Sequence, residues 1–140
     1  MNDTLVFHFE VDGEDFTSAG QASVQIKKNL RQLGMSPEVI RRVSIAMYEG
    51  EINMVIHAGG GEADVLIYED RIEIELVDRG PGIANIDLAM QEGFSTAPDN
   101  IRSLGFGAGM GLPNMKRYTD SMHIESALGE GTRILMTVRL

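Results

Sequence analysis

Apolar and polar residues alternate from Leu5 to Val11, with Leu5, Phe7, Phe9 and Val11 on one side and Val6, His8 and Glu10 on the other, the period of a half-buried β-strand. Asp12-Gly13 predicts a turn after it. The spacing then becomes helical. Ala22, Ile26, Leu30 and Leu33 recur among Lys27, Lys28, Arg31 and Gln32, which predicts an amphipathic helix from about Ser18 to Leu33, stopped by Gly34. Ser36-Pro37-Glu38 predicts the start of a second helix, since Ser36 suits the N-cap, Pro37 the first helical position and Glu38 the positive end of the dipole. Val39, Val43, Ala46, Met47, Met54 and Val55 form its apolar stripe, and it runs to about Ala58, where Gly59-Gly60-Gly61 end it.

Ala63 to Tyr68 and Arg71 to Asp78 are β-rich runs joined by Glu69-Asp70, the pattern of an antiparallel hairpin. Arg79 to Gly111 is loop-like, with room for a short helix around Asp87 to Gln91, and its length is that of a functional segment rather than a plain connection. A helix from about Met110 to Thr119 and a closing strand pair, Met122 to Ser126 and Thr132 to Leu140, complete the chain. The order predicts an α+β fold: a two-layer α/β sandwich whose mixed, mostly antiparallel sheet carries helices on one face.

The length of 140 residues suits one domain over residues 1–140. The absence of cysteine excludes disulfides, cysteine-ligated zinc, iron–sulfur clusters and thiol catalysis, and fits a reducing, cytoplasmic setting. The first residues have no basic stretch before their apolar run, so no secretory signal is expected there, and no run approaches the roughly 18 apolar residues of a membrane span. A net charge of −9 argues against nucleic acid and anionic membranes as partners. Of 16 glycines, most lie between the apolar segments of the central and C-terminal chain, where they mark turns or backbone that something approaches closely.

Three constellations carry candidate chemistry. Glu49, Asn53 and His57 are spaced to stack on one face of the second helix; a carboxylate can take a proton and an Asn carbonyl suits magnesium, although a solvated helix face looks the same in sequence. Asp78-Arg79-Gly80-Pro81-Gly82 closes a β-rich run, either as a simple turn or as an acceptor for the amino group of adenine beside backbone that a flat base can approach. Gly105, Gly107, Gly109 and Gly111 alternate with Phe106, Ala108, Met110 and Leu112 into a helix, either a flexible loop or an anion cradle of backbone amides. That segment is neither a Walker A loop nor a dinucleotide fingerprint.

In this order, and followed by Gly131-Thr132, the segments resemble the boxes of the GHKL ATP-binding superfamily and its Bergerat fold. Glu49 to Ala58 resembles the N box, Asp78 to Gly82 the first glycine box, Gly105 to Leu112 the second and Gly131-Thr132 the last, covering nearly the whole chain. Within the superfamily, DRGPGIANIDLAMQEGFSTA, LGFGAGMGLPNMKRYTD and IESALGEGT look most like the anti-sigma-factor serine/threonine kinases of bacterial partner switching, especially the RsbT-type switch kinases. The resemblance implies ATP and Mg2+ as cofactors. It makes Glu49 the base or orienter for the incoming hydroxyl, Asn53 the metal ligand and Asp78 the acceptor from adenine. Gly80 and Gly82 would give room to the base, Gly105, Gly107, Gly109, Met110, Gly111 and Leu112 would form the phosphate-binding segment, and Thr132 would support the adenine site. Arg102 and Lys116 are basic residues near the second glycine box, and His57 is expected to pack or cap.

The activity implied is phosphorylation of a STAS-domain antagonist, with a sigma factor or phosphatase as further partner and homodimerisation left open. Two other readings stay open: an ATP-gated anti-sigma module without turnover, and a histidine-kinase-like domain acting on a separate protein. An acidic chain gives a polyanion little long-range attraction, so nucleotide binding should depend on local amides and on magnesium.

Overall fold

The computed structural model describes residues 4–13, 20–83, 90 and 111–140. Among them the elements are β1 (Leu5–Asp12), α1 (Gln21–Gln32), α2 (Pro37–Ala58), β2 (Gly60–Ile67), β3 (Arg71–Asp78), α3 (Gly111–Arg117), β4 (Ser121–Ala127) and β5 (Gly131–Arg139). The strands form one sheet in the order β1-β2-β3-β5-β4, antiparallel at all four interfaces, so the parallel pairing that a mixed sheet allows is not used among these residues.

Strand periodicity sorts the two faces. Ile72, Ile74 and Leu76 of β3, Val65 and Ile67 of β2, and Ile134, Met136 and Val138 of β5 are buried against the helices, where Ile26, Leu30, Val43, Met47, Met54, Leu112 and Met115 complete the core. The opposite face is polar. Arg133 bridges Glu75 at 2.8 Å and Glu125 at 3.5 Å there, and His8 meets Asp64 at 2.6 Å, which holds the imidazole above its ordinary value. Phe7, Phe9 and Val11 of β1 pack against the core, but Leu5 stays exposed.

The second helix begins as its sequence predicts: the Ser36 hydroxyl accepts from Val39 N at 3.2 Å, and Gly59 ends the helix in the left-handed region. Gly60 and Gly61 are not part of that stop. They already pair with Asp12 and Val11 at the start of β2. Gly50, an expensive residue inside a helix, has a packing reason, because a Cβ there would overlap Leu76 Cδ1 of β3.

The first helix starts at Gln21 rather than Ser18; residues 14–19 lie outside the described residues. Its N-cap, Gly20, has no side chain to offer, and the cap comes from α2. Glu51, 2% exposed, accepts from Gly20 N at 3.0 Å and Ala22 N at 3.2 Å through Oε2, and from Ser23 N at 2.7 Å through Oε1. Burial pushes this carboxyl above the ordinary glutamate value and the three N–H donors pull it back. Glu51→Ala leaves three buried donors unpaired and should cost about 2–4 kcal/mol, read as a lower midpoint in urea at unchanged slope. A cost within 0.5 kcal/mol, about that of an ordinary surface change, would contradict that role.

The short helix expected around Asp87 to Gln91 falls outside the described residues except at Met90. No helix among those described is long and apolar enough to cross a membrane.

Candidate functional site

Three strands turn an apolar row toward the helices, and each row ends in a polar residue at the same end of the sheet. On β3 the row Ile72, Ile74, Leu76 continues to Asp78; on β5 Val138, Met136, Ile134 continues to Thr132; on β4 Met122, Ile124 continues to Ser126. The period of two keeps all three polar side chains on the helix-facing side. Register then sets them side by side, Asp78 opposite Thr132 and Thr132 opposite Ser126.

Hydrogen bonds tie the three strands together at this end. Asp78 Oδ1 accepts from Gly80 N at 3.0 Å and from Thr132 N at 3.2 Å. Ser126 Oγ accepts from Ile83 N at 2.7 Å, donates to Gly131 O at 3.1 Å and lies 2.8 Å from Thr132 Oγ1. With the single Ser126 proton on Gly131 O, the Thr132 hydroxyl donates to Ser126 and keeps its own lone pairs for another donor. Gly131 has φ +102°, and a Cβ would run into the Asp78 carbonyl, so only glycine lets β5 come this close to the end of β3.

Gly80 and Gly82 are needed by the protein itself. A side chain at Gly80 would overlap Ala58 at the end of α2, and one at Gly82 would overlap the Ala127 carbonyl. Both glycines therefore let the β3 end dock between α2 and the β4–β5 turn.

The other end of the site is built by α2 and α3. Gly111 stands over the N box: a Cβ there would lie 3.7 Å from Glu49 Oε2 and 4.0 Å from Asn53 Oδ1. Asn114, one helical turn on, donates from Nδ2 to Glu49 Oε1 at 3.3 Å. Burial holds the Glu49 carboxyl above its ordinary value, and the Asn114 N–H pulls it down. His57 continues the Glu49–Asn53 row; burial pushes its imidazole below 6.5, against the pull of the Asp78 charge.

The structure thus brings Glu49, Asn53, Asp78, Gly80, Gly82, Gly111 and Thr132 to one side of the sheet. Leu112 goes elsewhere, its side chain in the apolar core, and Lys116 is exposed. Gly105, Gly107, Gly109, Met110 and Arg102 lie outside the described residues. Sequence reading missed Ser126 and Asn114. Ser126 is detectable in principle, as the small polar residue ending the alternation of β4, whereas Asn114 lies between the buried Pro113 and Met115 and gives no signal of its own.

A two-layer α+β sandwich with an N-box helix over a sheet end carrying Asp78 and Thr132 is the architecture of a GHKL-type nucleotide-binding domain. The chain belongs to that family: residues 38–140 match the family described as histidine kinase-, DNA gyrase B-, and HSP90-like ATPase. Among curated relatives it is 35% identical over 120 residues to the anti-sigma F factor of Clostridium acetobutylicum, covering 82% of this chain and 80% of the relative. It is 34% identical over 118 residues to the serine/threonine-protein kinase RsbT of Bacillus subtilis, covering 81% and 83%. A crystal structure of the RsbU and RsbW domains of Rv1364c from Mycobacterium tuberculosis shares the fold, with a TM-score of 0.67 and 18% identity over 97% of this chain, which spans about a third (32%) of that one.

Proposed function

We propose that residues 1–140 act as one ATP- and magnesium-dependent protein serine/threonine kinase of a bacterial partner-switching system, with a STAS-domain antagonist as phosphoacceptor. The observation that carries this reading is the meeting of Gly111 with Glu49 and Asn53: a proton acceptor and a hard oxygen ligand converge beneath a residue with no side chain. The donor set fits the group. Asp78 is an acceptor for the amino group of adenine, and the Asn53 carbonyl oxygen suits Mg2+. Family membership and the relatives named as kinase and anti-sigma factors support it.

Bound MgATP would supply the phosphoryl group and offset the charge that develops on it. The chain's own residues would do the rest. Asp78 and Thr132 would orient the base, the amides of Gly107, Gly109 and Gly111 would hold the phosphates, Asn53 would ligate the metal, and Glu49 would take the proton from the acceptor hydroxyl as its oxygen bonds to the γ-phosphorus and the bond from that phosphorus to ADP breaks. A sigma factor or a phosphatase is the proposed second partner. The relatives named anti-sigma F factor favour one alternative, an ATP-gated binding module that does not turn nucleotide over.

The test is transfer of labelled phosphate from MgATP to a STAS-domain protein encoded beside this one. Acid-stable label on Ser or Thr supports the kinase, tight ATP binding without transfer supports the gated module, and acid-labile phosphohistidine supports neither. In the same assay Asn53→Ala should abolish the gain in ATP affinity that magnesium gives. Equal affinity with and without the metal in the unaltered protein sinks the assignment of Asn53.

A further inference from the structure

Glu49 has two carboxylate oxygens, and the structure treats them differently. Oε1 receives the Asn114 amide at 3.3 Å, while Oε2 is the oxygen facing Gly111. The Asn114 amide is itself oriented by charge: its Oδ1 accepts from Arg117 at 3.4 Å, so a flipped amide would set oxygen against carboxylate and nitrogen against guanidinium. The buried Leu112, Pro113 and Met115 hold α3 to the core, and Asn114 is left between them with its donor on α2.

We infer that Asn114 is a positioning residue for phosphoryl transfer: by occupying Oε1 it fixes the Glu49 carboxylate with Oε2 toward Gly111, so Oε2 is the oxygen that takes the acceptor's proton. This rests on the kinase reading above, and the contact itself can be tested without it.

Two variants separate donation from space-filling. Asn114→Asp keeps the size and the acceptor for Arg117 but replaces the donor with a charge facing Glu49; Asn114→Ala only removes the donor. Transfer to the STAS-domain protein at saturating MgATP should fall about 3- to 10-fold in Asn114→Ala, the scale of one hydrogen bond, and further in Asn114→Asp, with ATP affinity within about twofold throughout. A structural role gives the reverse order, because aspartate fills the space better than alanine. Asn114→Asp transferring as fast as Asn114→Ala or faster overturns the inference, as does a loss of ATP affinity equal to the loss of rate.

The contact is read separately from the Asn114 side-chain amide resonances of 15N-labelled protein. Glu49→Ala should shift them toward unbonded positions. Resonances that do not move overturn the inference whatever the kinetics. Resonances that move in a protein that transfers phosphate to no acceptor leave the Asn114–Glu49 contact standing and overturn the kinase reading instead.

Discussion

Glu49→Gln is expected to slow phosphoryl transfer about 10²- to 10⁴-fold, the range for removal of a positioned general base, with ATP affinity little changed. Glutamine keeps the oxygen that Asn114 donates to at 3.3 Å and loses only the ability to take a proton. Single-turnover transfer against calorimetric ATP binding separates the two effects, and a variant that transfers within tenfold of the unaltered protein removes Glu49 from the role of base. The pH profile gives an internal check. Burial holds this carboxyl above its ordinary 4.5, so transfer should rise with pH through a value above 4.5 as the carboxylate forms. An acid limb at or below 4.5 contradicts a desolvated base.

The same shift carries a sign for stability. A carboxyl whose value is raised on folding binds more protons folded than unfolded between the two values, so its contribution falls as pH rises through that interval. At pH 7 the ionised Glu49 costs stability, and Glu49→Gln should be as stable as the original or more so. Loss of activity with gain of stability is the signature of a group kept for chemistry.

Asp78→Asn should weaken ATP binding by about 2–3 kcal/mol, roughly 30- to 150-fold, while leaving the fold intact. The retained side-chain oxygen can still accept from Gly80 N and Thr132 N, the bonds that close this end of the sheet. The new NH2 stands where a second acceptor stood and opposes the amino group of adenine, donor against donor. Calorimetry with ATP and with GTP checks the cause: adenine preference should shrink in the variant. Unchanged ATP affinity would place the base elsewhere.

Much of the fold is legible locally because each element announces itself in a few neighbouring residues. Ser36-Pro37 starts α2 where expected and Gly59 stops it, and the alternation of Arg71 to Asp78 gives β3 its bounds and its buried face. The start of α1 is different. Its cap is Glu51, about 30 positions away, and no local rule reaches that far. Gly50 shows the same limit: as a helix residue it looks costly, and only the approach of Leu76 explains it.

The site divides along the same line. Its residue types and their order are legible in the chain, and the spacing of Glu49, Asn53 and His57 puts them on one helix face whatever the helix packs against. Tertiary structure alone decided how those groups face one another. Strand register set Asp78, Thr132 and Ser126 side by side, and the docking of α3 on α2 brought Gly111 over Glu49 and Asn53 and gave Glu49 its partner Asn114. The reason is physical: hydrogen bonding within an element is set by its own backbone, whereas the meeting of elements is set by burial of apolar faces drawn from the whole chain.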